Sequence, residues 1–218
     1  MPPTLTTVAS TVALSSAYSL TVNTTAVGDV VVVAFAGQTT AGVSVNTTAA
    51  TELVTGTAIQ GDDSLWIFLP SATGAQTVVS TKASANRGMM VAEVWTNVGA
   101  TAVISTAANS TVNSSAVSVV LSSAAANNIA IGAFFIGNAG VSTAGLTSGA
   151  GMIVDAKVQM SSAGSTQVIA MTHKDFSSAT ETLAMLHGST ANWDALGFIL
   201  AGTSVVVSAR GIQAYSFF

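Results

Sequence analysis

Hydrophobic residues recur along this chain in short β-branched runs, each closed by Gly, Asn, Ser or Pro, and that punctuation predicts strands rather than helices. One run is Val30-Val31-Val32-Val33-Ala34-Phe35-Ala36. Another is Ser64-Leu65-Trp66-Ile67-Phe68-Leu69, closed by Pro70, which has no N–H to give to a ladder. Further runs cover residues 77–81, 89–96, 116–121, 129–136, 152–160, 167–172, 195–201 and 204–208. About ten strands separated by turn clusters predict an all-β protein, an antiparallel β-sandwich of jelly-roll-like type.

Alternation shows which strands have a wet side. In 152–160, Met152, Val154, Ala156, Val158 and Met160 alternate with Ile153, Asp155, Lys157 and Gln159, which predicts one dry and one solvated face. Runs 30–36 and 129–136 are apolar throughout and predict central strands covered on both sides. Helical periodicity is sparse. The one window with a helical alternative is 178–187, where Glu181, Leu183, Leu186 and His187 could form a short helix.

Gly28-Asp29-Val30-Val31-Val32-Val33-Ala34-Phe35 is echoed by Asn127-Asn128-Ile129-Ala130-Ile131-Gly132-Ala133-Phe134 at an offset of 99 residues. A duplicated half would produce the echo. So would two core strands of one sandwich converging on one pattern, and convergence is the favoured reading. The chain then divides into an N-terminal arm or edge strand at 1–17, a single sandwich domain at 18–209 and an apolar tail at 210–218, a size that buries an adequate core without cross-links.

Composition narrows the function. Of 218 residues only five are Lys or Arg and nine Asp or Glu, 6% charged against roughly 25% in ordinary soluble domains. Ala (38), Thr (29) and Ser (27) supply much of the rest. Five basic residues make no stripe able to neutralise a phosphate backbone, so no nucleic-acid partner is expected. The absence of cysteine removes thiolate chemistry and disulfides. A chain that is 50% hydrophobic lacks the signature of disorder. Its longest apolar runs are far below the roughly 20 residues of a membrane helix, so no membrane partner is expected. The segment Met1-Pro2-Pro3-Thr4-Leu5 has no basic region leading into an apolar one, and no export by that route is expected.

Candidate chemistry is thin. Nucleophilic catalysis needs a base beside a nucleophile, and the histidines are His173 and His187. His173-Lys174-Asp175 gathers titratable groups, but neighbours on a strand point to opposite faces, so a solvated turn is the plainer reading. Glu52, Asp62 and Asp63 lack the spacing of a calcium loop, and Gly-Asp-Asp-Ser reads as a turn. Trp66, Trp95 and Trp193 lie in or beside apolar strands and read as core rather than as a sugar platform. Four Asn-x-Ser/Thr sequons, at Asn23, Asn46, Asn109 and Asn113, are about what chance gives. No catalytic residue, metal ligand or cofactor is expected.

The charge deficit bears on assembly. Exposed strand edges are normally defended by Lys, Pro or inward charge, whereas 109–121 and 197–208 carry no Asp, Glu, Lys or Arg. Those stretches are expected to be covered by a neighbour, and Ser, Thr and Ala lose little rotamer entropy when buried. After 195–201 come Val205 and Val207, then Ile212, Tyr215, Phe217 and Phe218, candidate assembly contacts that could equally form a last strand docked on their own domain.

Gly28-Asp29 followed by 30–35, then Ser64 to Pro70, Thr77-Val78-Val79, 89–95 and Asn192-Trp193-Asp194-Ala195-Leu196-Gly197-Phe198 together resemble the jelly-roll-type sandwiches of bacteriophage virion proteins, capsid decoration and minor tail or fibre proteins among them. The resemblance spans most of 27–202 and rests on pattern and spacing. It implies a non-enzymatic capsid decoration (cement) subunit, a homo-oligomer with a homotrimer preferred, contacting other virion proteins such as the major capsid protein and assembled in the host cytoplasm. The alternative is a tail or fibre module that binds host surface polysaccharide.

Overall fold

The structure, a computed structural model, describes residues 1–37, 40–57, 63–123, 127–138, 141–162 and 165–203; at 40, 41, 82–87, 138, 162 and 165 it describes the backbone alone. The first half of the chain supplies β1 (Thr4–Thr24), β2 (Val30–Gly37), β3 (Thr40–Val45), β4 (Thr48–Ala49), β5 (Thr51–Thr55), β6 (Ser64–Phe68) and β7 (Gly74–Thr96). The second supplies β8 (Val98–Ser122), β9 (Ile129–Asn138), β10 (Leu146–Ser148), β11 (Ile153–Ser162), β12 (Ser165–Asp175) and β13 (Thr180–Gly202), with a short 3-10 turn at Thr143–Gly145. All strand pairs are antiparallel. The predicted β-sandwich is therefore present, with thirteen described strands instead of about ten.

The excess has a physical origin. Runs 77–81 and 89–96 are the two arms of one bent strand, β7, and 116–121 is the end of the much longer β8. The linking residues, rich in Ser, Thr, Asn and Ala, look like turns because they lack an apolar stripe, yet a strand at a sheet edge needs little burial to pair. The window 178–187 is not helix: from Thr180 it is strand, the opening of β13. The edge strand expected at 1–17 runs on to Thr24.

Each sheet is built from one continuous half of the chain, and the two halves repeat. The first sheet has the order β4-β3-β7-β2-β6-β5 with β1 also on β7; the second has β10-β13-β9-β12-β11 with β8 also on β13. Leaving out β4, the orders superpose term by term. Finer features superpose too. Ser15 Oγ accepts the N–H of Ala17 at 3.1 Å, and Ser114 Oγ accepts that of Ala116 at 3.2 Å. At the same two bends Tyr18 donates to Ser15 O at 3.1 Å and Trp193 Nε1 to Ser114 O at 2.7 Å. A β-bulge falls between Glu52 and Val54 in β5 and between Val154 and Ala156 in β11. The 99-residue echo thus marks a structural repeat, which corrects the reading as two converging core strands.

Layers follow from the bends. Between the sheets lies a shared core that includes Val32, Leu65, Trp95, Ile131, Phe135, Met171 and Phe198. Past its bend each half folds its own arm back over the outer face of its own sheet. The arm of β1, β3 and β7 buries Tyr18, Val22, Val43 and Val78 on Val33, Phe35 and Met90. The arm of β8, β10 and β13 buries Val119, Leu121, Leu146 and Leu183 on Phe134 and Val168. Strands β2 and β9, apolar on both faces, are accordingly buried, β2 throughout and β9 from Ile129 to Ile136. The halves also meet reciprocally at their margins, β11 against β1 and β7, β5 against β8 and β13.

Of the two neutral stretches, 109–121 lies in β8, which pairs only with β13 among the described residues. The other is partly corrected. Residues 197–202 lie in β13 between β8 and β9, so hydrogen bonding on both sides and burial leave no free edge there. Residues 204–208, Val205 and Val207 among them, and Ile212, Tyr215, Phe217 and Phe218 lie outside the described residues.

Candidate functional site

Three titratable groups, Glu93, Asp155 and His173, gather where the two halves meet. In β7 the inward residues are Met89, Val91, Glu93 and Trp95, and Glu93 is fully buried in this otherwise apolar row. Trp95 Nε1 donates to Glu93 Oε2 at 3.0 Å. Glu93 Oε1 is buried without a hydrogen-bond partner. Burial and the nearby Asp155 carboxylate push the Glu93 carboxyl well above its ordinary value, with the Trp95 bond opposing them.

Asp155 and His173 face Glu93 from the other half. Residue 173 stands directly across from Ile153, not Asp155; the bulge at Asp155 is what turns its carboxylate inward, a use to which bulges are often put. His173 Nδ1 then lies 2.8 and 2.9 Å from the two Asp155 oxygens. The Asp155 side chain is 2% exposed and that of His173 14%. The imidazole meets the Trp95 ring edge on, with centroids 5.1 Å apart and planes at 84°. A chain of contacts therefore runs from Glu93 through Trp95 to His173 and Asp155, crossing from one half to the other.

The bulge also corrects the alternation in 152–160. Met152 packs under the outer arm, whereas Ala156, Val158 and Met160 pack on the core between the sheets. Lys157 and Gln159 are solvated as expected, but Asp155 is not on a wet face. Nor is His173 in a solvated turn, since it is a residue of β12.

On the opposite face of β12, Lys174 Nζ reaches Glu181 Oε2 at 2.7 Å. Glu181 Oε1 accepts the N–H of Ser177 at 2.8 Å, its hydroxyl at 2.7 Å and the N–H of Ser178 at 3.1 Å. The Lys174 bond, then those to Ser177, hold Glu181 down to about 2. A further buried carboxylate, Asp194, accepts the N–H of Thr57 at 3.0 Å and the Ser110 hydroxyl, again joining the halves. His187 Nδ1 lies 3.1 Å from the backbone nitrogen of Ser189 and Nε2 3.4 Å from that of Ser142, and a neutral ring accepts at one of the two.

The remaining sequence candidates do not converge. Glu52 is exposed on β5, Asp63 is buried, and Asp62 lies outside the described residues. No group of three His, Asp or Glu side chains is arranged to hold a metal among the described residues. Trp66, Trp95, Trp193 and Tyr18 are buried, as core residues should be. A cleft of about 550 Å³ opens elsewhere, lined by neutral residues such as Val98, Ile104, Asn127, Asn128 and Gly202. Sequence reading did not single out Glu93 or Asp155. The available signal for Glu93 was a lone carboxylate in Met89-Met90-Val91-Ala92-Glu93-Val94-Trp95; for Asp155 there was none, because the bulge breaks the periodicity that assigns faces. Comparison with protein-family models, curated proteins and solved structures finds no match.

Proposed function

We propose that this chain is a non-enzymatic structural subunit that assembles through its sheet edges, most specifically as a decoration, or cement, protein of a phage-like capsid. The observation that carries the reading is the pair of edge strands β1 and β8, 21 and 25 residues long with no charged residue in either. Each is hydrogen-bonded along one side only among the described residues, and each displays apolar side chains to solvent, Val12 and Leu14 on β1, Val112 and Val120 on β8. Long neutral edges invite pairing with another chain. Small hydroxyl and methyl side chains add little ordering entropy to such a contact. The partners in this reading are further copies of the chain, a homotrimer in its simplest form, and capsid subunits beneath them.

Binding of this kind stabilises a shell by mass action, since the contacts exist only in the assembled state. Shells carrying the protein are expected to survive higher temperature and osmotic stress than shells stripped of it, as followed by light scattering and release of packaged DNA. Equal survival of the two would refute the role. The polysaccharide-binding alternative is less well supported, because Trp66, Trp95, Trp193 and Tyr18 are buried rather than displayed.

A further inference from the structure

The internal repeat supplies a comparison within one molecule. By strand register, Glu93 and Trp95 in β7 correspond to Phe198 and Leu200 in β13, since β2 meets β7 as β9 meets β13. Likewise His173 in β12 corresponds to Ile67 in β6, and Asp155 at the bulge of β11 to Leu53 at the bulge of β5. At one margin of the sandwich the halves are therefore joined by Leu53, Ile67, Phe198 and Leu200, all apolar and all part of or packed on the shared core. At the other they are joined by Asp155, His173, Glu93 and Trp95. The same backbone positions close with hydrocarbon alone, so the fold has no need of three titratable groups there.

We propose that Glu93, Asp155 and His173 form a proton-operated clasp between the two halves, closed while Glu93 keeps its proton and opened when the proton leaves. With Glu93 neutral, no second carboxylate charge is set against Asp155, which His173 Nδ1 contacts at 2.8 and 2.9 Å. Losing a proton from Glu93 places a second carboxylate beside Asp155 in a water-poor junction, where like charges repel strongly. Among the described residues, nothing beyond His173 is placed to neutralise it. The residues directly across from Glu93 on β1 and β2 are Val8 and Val32, and the groups facing it from β11 and β12 are Asp155 and His173 themselves. Its Oε1, buried without a partner, gains no hydrogen bond on ionising. Rising pH therefore loosens the margin formed by β7 and β11, whereas the four equivalent positions of the margin formed by β13 and β5, where Asp194 separately bonds Thr57, carry no group to titrate.

Hydrogen exchange on the intact protein tests this, with the apolar margin as internal control. Between about pH 5 and about pH 9, protection of the β11 amides should fall several-fold relative to those of β5, once intrinsic rates are divided out. In Glu93→Gln, which keeps an acceptor for Trp95, the ratio should stay flat. An unchanged ratio in the native protein overturns the clasp, as does an identical decline in Glu93→Gln. Should that variant fail to fold, Asp155→Asn gives a second reading, since removing the opposing carboxylate should shrink the decline. The native protein gives a third: infrared absorption of a protonated buried carboxyl at the acid end of that range is expected, and its absence overturns the proposal.

Discussion

At the residue scale, the repeat shows one structural task solved with different chemistry. Gln76 is buried at the start of β7 and its Nε2 donates back to Ala72 O at 3.0 Å. Glu181, at the matching point of β13, accepts from the backbone of Ser177 and Ser178 instead. Both tie down the turn four residues upstream, but only Glu181 adds a charge that must be balanced, by Lys174, where the first half places Phe68. Because Glu181 is held at about 2, below its ordinary 4.5, its contribution is present above pH 4.5 and is lost as the pH falls from there toward 2. Urea unfolding of the native protein should therefore show a midpoint that declines over that acid window. Glu181→Gln, which installs the first half's residue, should cost about 1 kcal/mol at neutral pH and flatten the acid decline. Glu93 has the opposite sign, stabilising below 4.5 and losing that contribution as pH rises through its elevated value.

At the element scale, the bent strands define the architecture, and each bend is packed by one large and one small residue. In the first half Tyr18 on the arm lies over Gly88 in the sheet; a Cβ at Gly88 would come within 2.8 Å of the Tyr18 ring and 3.0 Å of Ala36 O. In the second half the sizes are exchanged, with Val117 on the arm and Trp193 in the sheet, both buried. Either arrangement fills the bend and leaves an aromatic N–H or O–H to bond the serine carbonyl. Gly88→Ala alone should overpack the bend and cost about 1–3 kcal/mol. Combined with Tyr18→Val, which imitates Val117, the penalty of the alanine should shrink, and a double-mutant cycle by denaturant titration would measure the coupling. Strict additivity would show that Tyr18 and Gly88 do not pack as a unit.

At the scale of the whole molecule, two similar halves joined through the single residue Asn97 present two similar edges. Asn97 takes a left-handed conformation, φ 59°, which asparagine tolerates better than most residues. Strand edges are commonly blocked by lysine, so Val12→Lys and Val112→Lys test whether these edges mediate self-association. Each should shift sedimentation toward the monomer, and the pair should do so more completely, with circular dichroism unchanged. A native-like mass in the double variant would exclude both edges from the contact.

Much of the fold was legible in the chain. Short β-branched runs between turn residues specify strands, fully apolar runs specify central ones, and a near absence of charge leaves edges undefended; these follow from local sterics and burial, which a linear pattern records. Even the repeat was visible beyond the echo at residue 28, because Ser15-Ser16-Ala17-Tyr18-Ser19-Leu20 matches Ser114-Ser115-Ala116-Val117-Ser118-Val119 at the same offset. Tertiary structure alone decided which apolar faces meet, that single strands serve two layers by bending, and that Glu93, Asp155 and His173 come together. Those outcomes depend on a bulge that shifts register by one residue and on the docking of segments far apart in sequence. Neither leaves a period in the chain, because a side chain's face is set locally, whereas its neighbour across a core is set by how two sheets pack.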